Sequence, residues 1–218
     1  MYNTVYFLIG GAKMSALNYN ISKRTRTLVQ LALLTAVIIL MGFTPLGFLK
    51  IGTIEITFIV IPVAIGAVML GQKGGAILGL VFGLVSFFQC FGYSQFGVFL
   101  FGINPFFTAI LCIIPRILCG WLPGLLFEVI NKKTKSNTVP CLVASLACPI
   151  FNTIFFVLFF ILMFGMNPAV LEAFGTTTVF GIILGLVTLN AVIEASVGAV
   201  IGFSISKALT HILPKAKQ

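Results

Sequence analysis

Charged residues are almost missing from six long stretches of this sequence, and this feature most limits what the chain can fold into. A helix needs about 20 consecutive apolar residues to cross the hydrocarbon core of a bilayer. Only 8% of the residues are charged, against about 25% in a typical soluble domain, so a soluble globule would lack polar surface. The sequence therefore predicts an all-α integral membrane protein with six transmembrane helices in one bundle. The six segments run near residues 27–43, 56–71, 75–91, 105–130, 139–165 and 178–206.

The basic residues predict how these helices are oriented. Of the 13 Lys and Arg residues, all but Lys50 and Arg116 fall on one side of a six-helix arrangement. Since cytoplasmic loops are enriched in Lys and Arg, both termini are expected in the cytoplasm of a cell-membrane protein. The predicted division is a cytoplasmic segment at 1–26, a membrane domain at 27–206 and a basic cytoplasmic tail at 207–218. Met1 or Met14 is the start, and a cleaved signal peptide is not expected because the first residues lack a basic region.

Glycine recurs at every fourth position from residue 71 to residue 83. Such a stripe lets another helix backbone approach closely, and we expect it to pack within the monomer rather than form a dimer. The five cysteines lie in or beside apolar segments without a Cys-x-x-Cys pair, so small buried side chains are expected rather than metal ligands. The chain also lacks catalytic and phosphate-binding motifs, and we expect no enzyme activity, no cofactor and no nucleic-acid partner.

Two ionisable residues, Arg116 and Glu194, fall deep inside apolar segments, where charge is costly and usually functional. Amide and phenol side chains are expected near them, around the outer halves of the helices. Arginine binds a carboxylate through two parallel hydrogen bonds, so this set favours a small anionic or amide-bearing ligand. The alternative is that Arg116 and Glu194 form a structural ion pair in the bundle core. The neighbouring polar residues are Gln89, Tyr93, Asn104, Asn152 and Asn190.

The chain resembles the substrate-binding S components of energy-coupling factor (ECF) vitamin transporters. The resemblance covers roughly residues 25–210 and is carried by the outer loop Pro45–Glu55, by the stretches 43–52 and 70–74, and by Asn190-Ala-Val-Ile-Glu194-Ala. It implies that the protein captures a vitamin from outside and joins a transmembrane coupling subunit and two cytoplasmic ATPases, which drive import. The coupling subunit would contact Ala32 and Ala36 on the first helix.

The same resemblance places Lys50 in the pocket, together with Asn104, Arg116, Asn152, Asn190 and Glu194. The sequence is most similar to the pantothenate-type members, and a small flexible carboxylate suits one arginine with several asparagines. Riboflavin, folate and other vitamins remain alternative substrates. A stand-alone secondary transporter or channel for a small polar solute is the alternative function, although no internal repeat joins residues 27–91 to 105–206.

Overall fold

The computed structural model describes residues 23–44, 47–51, 54–134 and 138–175, with the single residues 178 and 204. Four helices in these ranges are long and apolar enough to cross a membrane, namely α1, α2, α4 and α5. The chain is thus built as a multi-pass membrane protein, as predicted. Apart from residues 178 and 204, the sixth predicted segment, 178–206, lies outside the described residues. The elements are α1 Lys23–Gly42, β1 Phe48–Ile51, β2 Ile54–Thr57, α2 Val60–Gln89, α3 Gln95–Ile103, α4 Pro105–Lys133, α5 Thr138–Phe164 and α6 Pro168–Ala173.

Helix α2 is broken at Gly71 and folds back on itself. Gly71 has φ 71° and ψ −167°, a backbone conformation that favours glycine. Gly66 and Leu78 would be roughly 18 Å apart in a straight helix, yet a methyl group on Gly66 would lie 2.0 Å from Leu78 Cδ1. The predicted segments 56–71 and 75–91 are therefore the two antiparallel arms of α2. The first arm, residues 60–70, is roughly 16 Å long and spans only about half of the hydrocarbon core.

The described elements are helical except in the loop between α1 and α2, where β1 and β2 form an antiparallel hairpin that the all-α prediction did not include. Phe48 pairs with Thr57 and Ile51 pairs with Ile54. Apolar and polar residues alternate along most of the two strands, and the strands are rich in β-branched residues. Both features are typical of β-structure. The dipeptide Gly52–Thr53 separates the strands, and such a short glycine-containing connection is typical of hairpins.

Two short helices, α3 and α6, were not predicted from the apolar pattern. Each begins at a polar residue whose side chain accepts a backbone hydrogen bond, from Gly97 N to Ser94 and from Ala169 N to Asn167. These are ordinary N-terminal caps. The helices have nine and six residues, which is too short to cross a membrane.

The glycine stripe packs inside the monomer, against helix α4. A methyl group on Gly75 would lie 2.2 Å from the carbonyl oxygen of Gly120, and one on Gly79 would lie 2.2 Å from that of Arg116. One on Gly83 would lie 2.9 Å from the carbonyl oxygen of Cys112. The second arm of α2 therefore runs directly along the backbone of α4, in agreement with the prediction of a monomer contact. This contact fixes the position of Arg116 relative to the second arm of α2.

The turn at Gly71 is held by a hydrogen bond to the C-terminal part of α4. Gln72 N donates a hydrogen bond of 2.9 Å to the Glu128 carboxylate. Gln72 opens the second arm of α2, where helix N–H groups lack partners and negative charge is stabilising. Glu128 therefore caps this arm from a neighbouring helix.

Candidate functional site

Arg116 lies in the middle of α4, directly after a proline that changes the hydrogen bonding of the helix. Pro115 has no N–H, so the carbonyl of Leu111 loses its usual partner within the helix. Arg116 Nη1 donates a hydrogen bond of 2.8 Å to that carbonyl. The side chain is thus directed back toward the N-terminus of α4, as helical side chains usually are.

Two aromatic rings flank the guanidinium group. Arg116 Cζ lies 4.8 Å from the ring centre of Phe156 and 5.6 Å from that of Phe82. Cations are attracted to ring faces at such distances, by up to about 2 kcal/mol when desolvated. Phe82 comes from α2 and Phe156 from α5, so three helices meet around this charge.

One donor of the Arg116 guanidinium group, Nε, lies in a buried environment. It has no hydrogen-bond partner among the described residues. A buried donor without a partner costs about 1–3 kcal/mol, and more when it is charged. The described residues therefore leave one donor of the guanidinium group for a further acceptor.

Asn152 lies on the face of α5 that points toward Arg116. It is one turn from Phe156, whose ring contacts Arg116, and one turn from Cys148, whose Sγ is 3.6 Å from Cys119 Sγ on α4. Its side chain is 6% exposed, and its Oδ1 has no partner in the described part of the chain. Facing turns of α4 and α5 therefore carry a buried donor and a buried acceptor for which the described residues supply no partner.

Gln89 and Tyr93 lie at the end of the second arm of α2. Gln89 is buried, and its Nε2 donates to the carbonyl oxygen of Gly42 at the end of α1. Tyr93 is exposed, and its ring packs edge-to-face on Phe43 with the centroids 5.7 Å apart. Both residues thus join α1 to α2, and the structure supplies a packing role for each of them.

Asn104 caps the N-terminus of α4. Its Oδ1 accepts hydrogen bonds from the backbone N–H groups of Phe106 and Phe107, at 3.1 and 3.2 Å. Its own carbonyl accepts from the hydroxyl of Thr108 at 2.9 Å. The acceptor of this amide is therefore committed to the helix, and a contact between its NH₂ group and a ligand stays a prediction.

The remaining predicted residues are Lys50, Asn190 and Glu194 for the ligand, and Ala32 and Ala36 for the coupling subunit. Lys50 lies on β1 and pairs in register with Glu55 on β2. Asn190 and Glu194 lie outside the described residues, so the predicted ion pair between Arg116 and Glu194 stays a prediction. Ala32 and Ala36 are both exposed on α1.

All five cysteines are buried and unlinked. Cys90 and Cys112 have their sulfur atoms 3.8 Å apart, and Cys119 and Cys148 form the second close pair. Within the described ranges, no three His, Cys, Asp or Glu side chains are placed to hold a metal ion.

The sequence reasoning missed three residues around Arg116, namely Pro115, Phe82 and Phe156. A proline directly before the only cation in an apolar segment was a usable signal, because it frees a carbonyl one turn away. The two phenylalanines had no such signal in a chain with 23 of them.

Comparison with known proteins agrees with the fold and with the resemblance drawn from sequence. The family model "ECF transporter, substrate-specific component" matches residues 26–206. A pantothenate transporter PanT of Leuconostoc mesenteroides is 28% identical over 204 residues, which cover 89% of this chain and 97% of the relative. A pantothenic acid transporter PanT of Lactococcus lactis subsp. cremoris is 29% identical over 168 residues, covering 71% of this chain and 77% of the relative. The chain belongs to the family of substrate-specific components of ECF transporters.

Proposed function

We propose that this protein binds pantothenate from outside the cell and delivers it for import. The single observation that carries the choice of ligand is a pair of buried polar atoms, Arg116 Nε and Asn152 Oδ1, which have no hydrogen-bond partner among the described residues. A buried donor or acceptor that lacks a partner is costly, and a ligand that satisfies both of these atoms would regain that free energy on binding. The two named relatives, both described as pantothenate transporters, support the same substrate.

The chemistry of pantothenate fits these two atoms. Its carboxylate accepts from a guanidinium group through two parallel hydrogen bonds, and its amide N–H and hydroxyl groups donate to an asparagine oxygen. Arg116 Nη1 is held by Leu111, so Nε and the neighbouring Nη2 form the edge that meets the carboxylate. The rings of Phe82 and Phe156 flank the guanidinium group, and such apolar neighbours strengthen a charged contact by lowering the local dielectric constant.

The route of energy supply follows from the family. The proposed partners are a transmembrane coupling subunit, which contacts the exposed face of α1 at Ala32 and Ala36, and two cytoplasmic ATPases. The basic residues support a cytoplasmic position for both termini and for the Gly71 turn, because Lys73, Lys132 and Lys133 fall on the same side as the termini in a six-helix arrangement. The protein itself performs no chemical step.

A binding titration tests the ligand and the role of Arg116 together. The purified protein in detergent is titrated calorimetrically with pantothenate, riboflavin, folate, thiamin and biotin. We expect tight binding of pantothenate alone. Removing the guanidinium group by Arg116→Ala is expected to weaken that binding about 10- to 150-fold, because a hydrogen bond to a charged group contributes about 1.5–3 kcal/mol.

Lys73→Gln is the matched control, because it removes an exposed cation beside the Gly71 turn of α2. It should leave the affinity unchanged. Equal affinity of Arg116→Ala and the wild type would remove Arg116 from the site, and binding of another vitamin instead would refute the proposed substrate. Accumulation of pantothenate by this chain alone in liposomes under an ion gradient would favour the stand-alone transporter.

A further inference from the structure

Two prolines interrupt the hydrogen bonding of α4, and both freed carbonyls are used by side chains. Pro115 frees the carbonyl of Leu111, and Pro123 frees that of Cys119. The first accepts from Arg116 Nη1 at 2.8 Å. The second accepts from the thiol of Cys148 at 3.4 Å. Only the first of these contacts holds a charged group.

The hydrogen bond from Arg116 to Leu111 depends on the proline. In an unbroken helix the Leu111 carbonyl would accept from the N–H of residue 115, which lies four positions later. The guanidinium group would then compete with a backbone donor that is always in place. Long side chains lose considerable freedom when they are ordered, so an arginine without a fixed acceptor would sample several rotamers.

We propose that Pro115 is a positioning residue for ligand binding, because it supplies the acceptor that holds Arg116 with Nε presented to the carboxylate of the ligand. This inference rests on the proposed function. The proline touches no ligand in this scheme. It acts by ordering the arginine before the ligand arrives, which removes part of the entropy cost of binding.

Pro115→Ala restores a backbone N–H at position 115 and is the direct test. We expect pantothenate to bind about 3- to 10-fold more weakly, as is typical when one long side chain must be ordered on binding. Pantothenol, in which an alcohol replaces the carboxylate, should bind Pro115→Ala and the wild type equally. The matched control is Pro123→Ala, which makes the same change two turns along α4 and should leave both affinities unaltered.

The effect must also depend on the arginine. In an Arg116→Ala background, adding Pro115→Ala should cause no further loss of pantothenate affinity. Pro115 is buried, so Pro115→Val serves as a second variant that restores the N–H with less loss of volume. Should Pro115→Ala fold poorly, the valine variant carries the same test.

Three results would overturn the inference. These are wild-type affinity in both Pro115 variants, an equal loss for pantothenate and pantothenol, and an equal loss with and without Arg116. The proposed function fails separately, when Arg116→Ala itself binds pantothenate like the wild type. Loss of binding in Arg116→Ala with full binding in both Pro115 variants would refute the positioning role and leave the proposed function standing.

Discussion

Replacing Gly79 by alanine should separate two helices that now touch through their backbones. The added methyl group would lie 2.2 Å from the carbonyl oxygen of Arg116 and 3.0 Å from its carbonyl carbon. Ordinary contact begins near 3.4 Å, so α2 and α4 must move apart by about 1 Å. Backbone atoms cannot rotate away, and overpacking of this kind costs about 1–3 kcal/mol.

Thermal unfolding in detergent measures this cost. At roughly 2–4 °C per kcal/mol for a chain of this size, the midpoint should fall by about 2–12 °C. Pantothenate affinity should fall as well, because binding groups need to be held within about 0.5 Å of their working positions. The control is Gly102→Ala on α3, where nothing lies within 4 Å of the new methyl group. Equal midpoints for the two variants would refute the close contact of α2 with α4.

Three further variants, at Asn152 and Asn104, separate stability from binding. Asn152→Leu removes a buried oxygen that has no partner among the described residues. The free energy of unfolding of the ligand-free protein should therefore rise by about 1–3 kcal/mol while pantothenate affinity falls, and a lower midpoint in thermal unfolding would contradict this. Asn104→Ala removes the cap of α4 and should cost about 1 kcal/mol of stability, whereas Asn104→Asp keeps the acceptor and should unfold like the wild type. A change of affinity in Asn104→Asp alone would assign its NH₂ group to the ligand.

The membrane class could be predicted from the sequence because it depends on local composition. Apolar runs and their flanking charges carry that information within windows of about 20 residues. The glycine stripe could also be recognised in the sequence, since residues four apart share a helix face. Its contact with α4 confirms the predicted packing within the monomer. The sequence could not predict that the glycines face the carbonyl groups of Cys112, Arg116 and Gly120, because these contacts depend on how two distant segments pack.

The binding site was only partly predictable for the same reason. Arg116 stands out by its cost at membrane depth, and Asn152 by its place in an apolar segment. Gln89 and Asn104 show the same polarity in the sequence, yet their amides hydrogen-bond to Gly42 and to the start of α4. Residue type alone does not distinguish a side-chain amide that hydrogen-bonds to the backbone, as in Gln89 and Asn104, from one with an oxygen that has no partner among the described residues, as in Asn152. Only the hydrogen-bond partners do so.

The contact between the glycine stripe and α4 also limits how this protein can change shape. Side chains at an interface can switch rotamers and let two helices slide, but Gly75, Gly79 and Gly83 have no side chains to switch. The second arm of α2 and the facing half of α4 should therefore move as one rigid body, with Arg116 fixed upon it. Any rearrangement that accompanies capture or release of a ligand is then left to the remaining elements, among them the β1–β2 hairpin and α5.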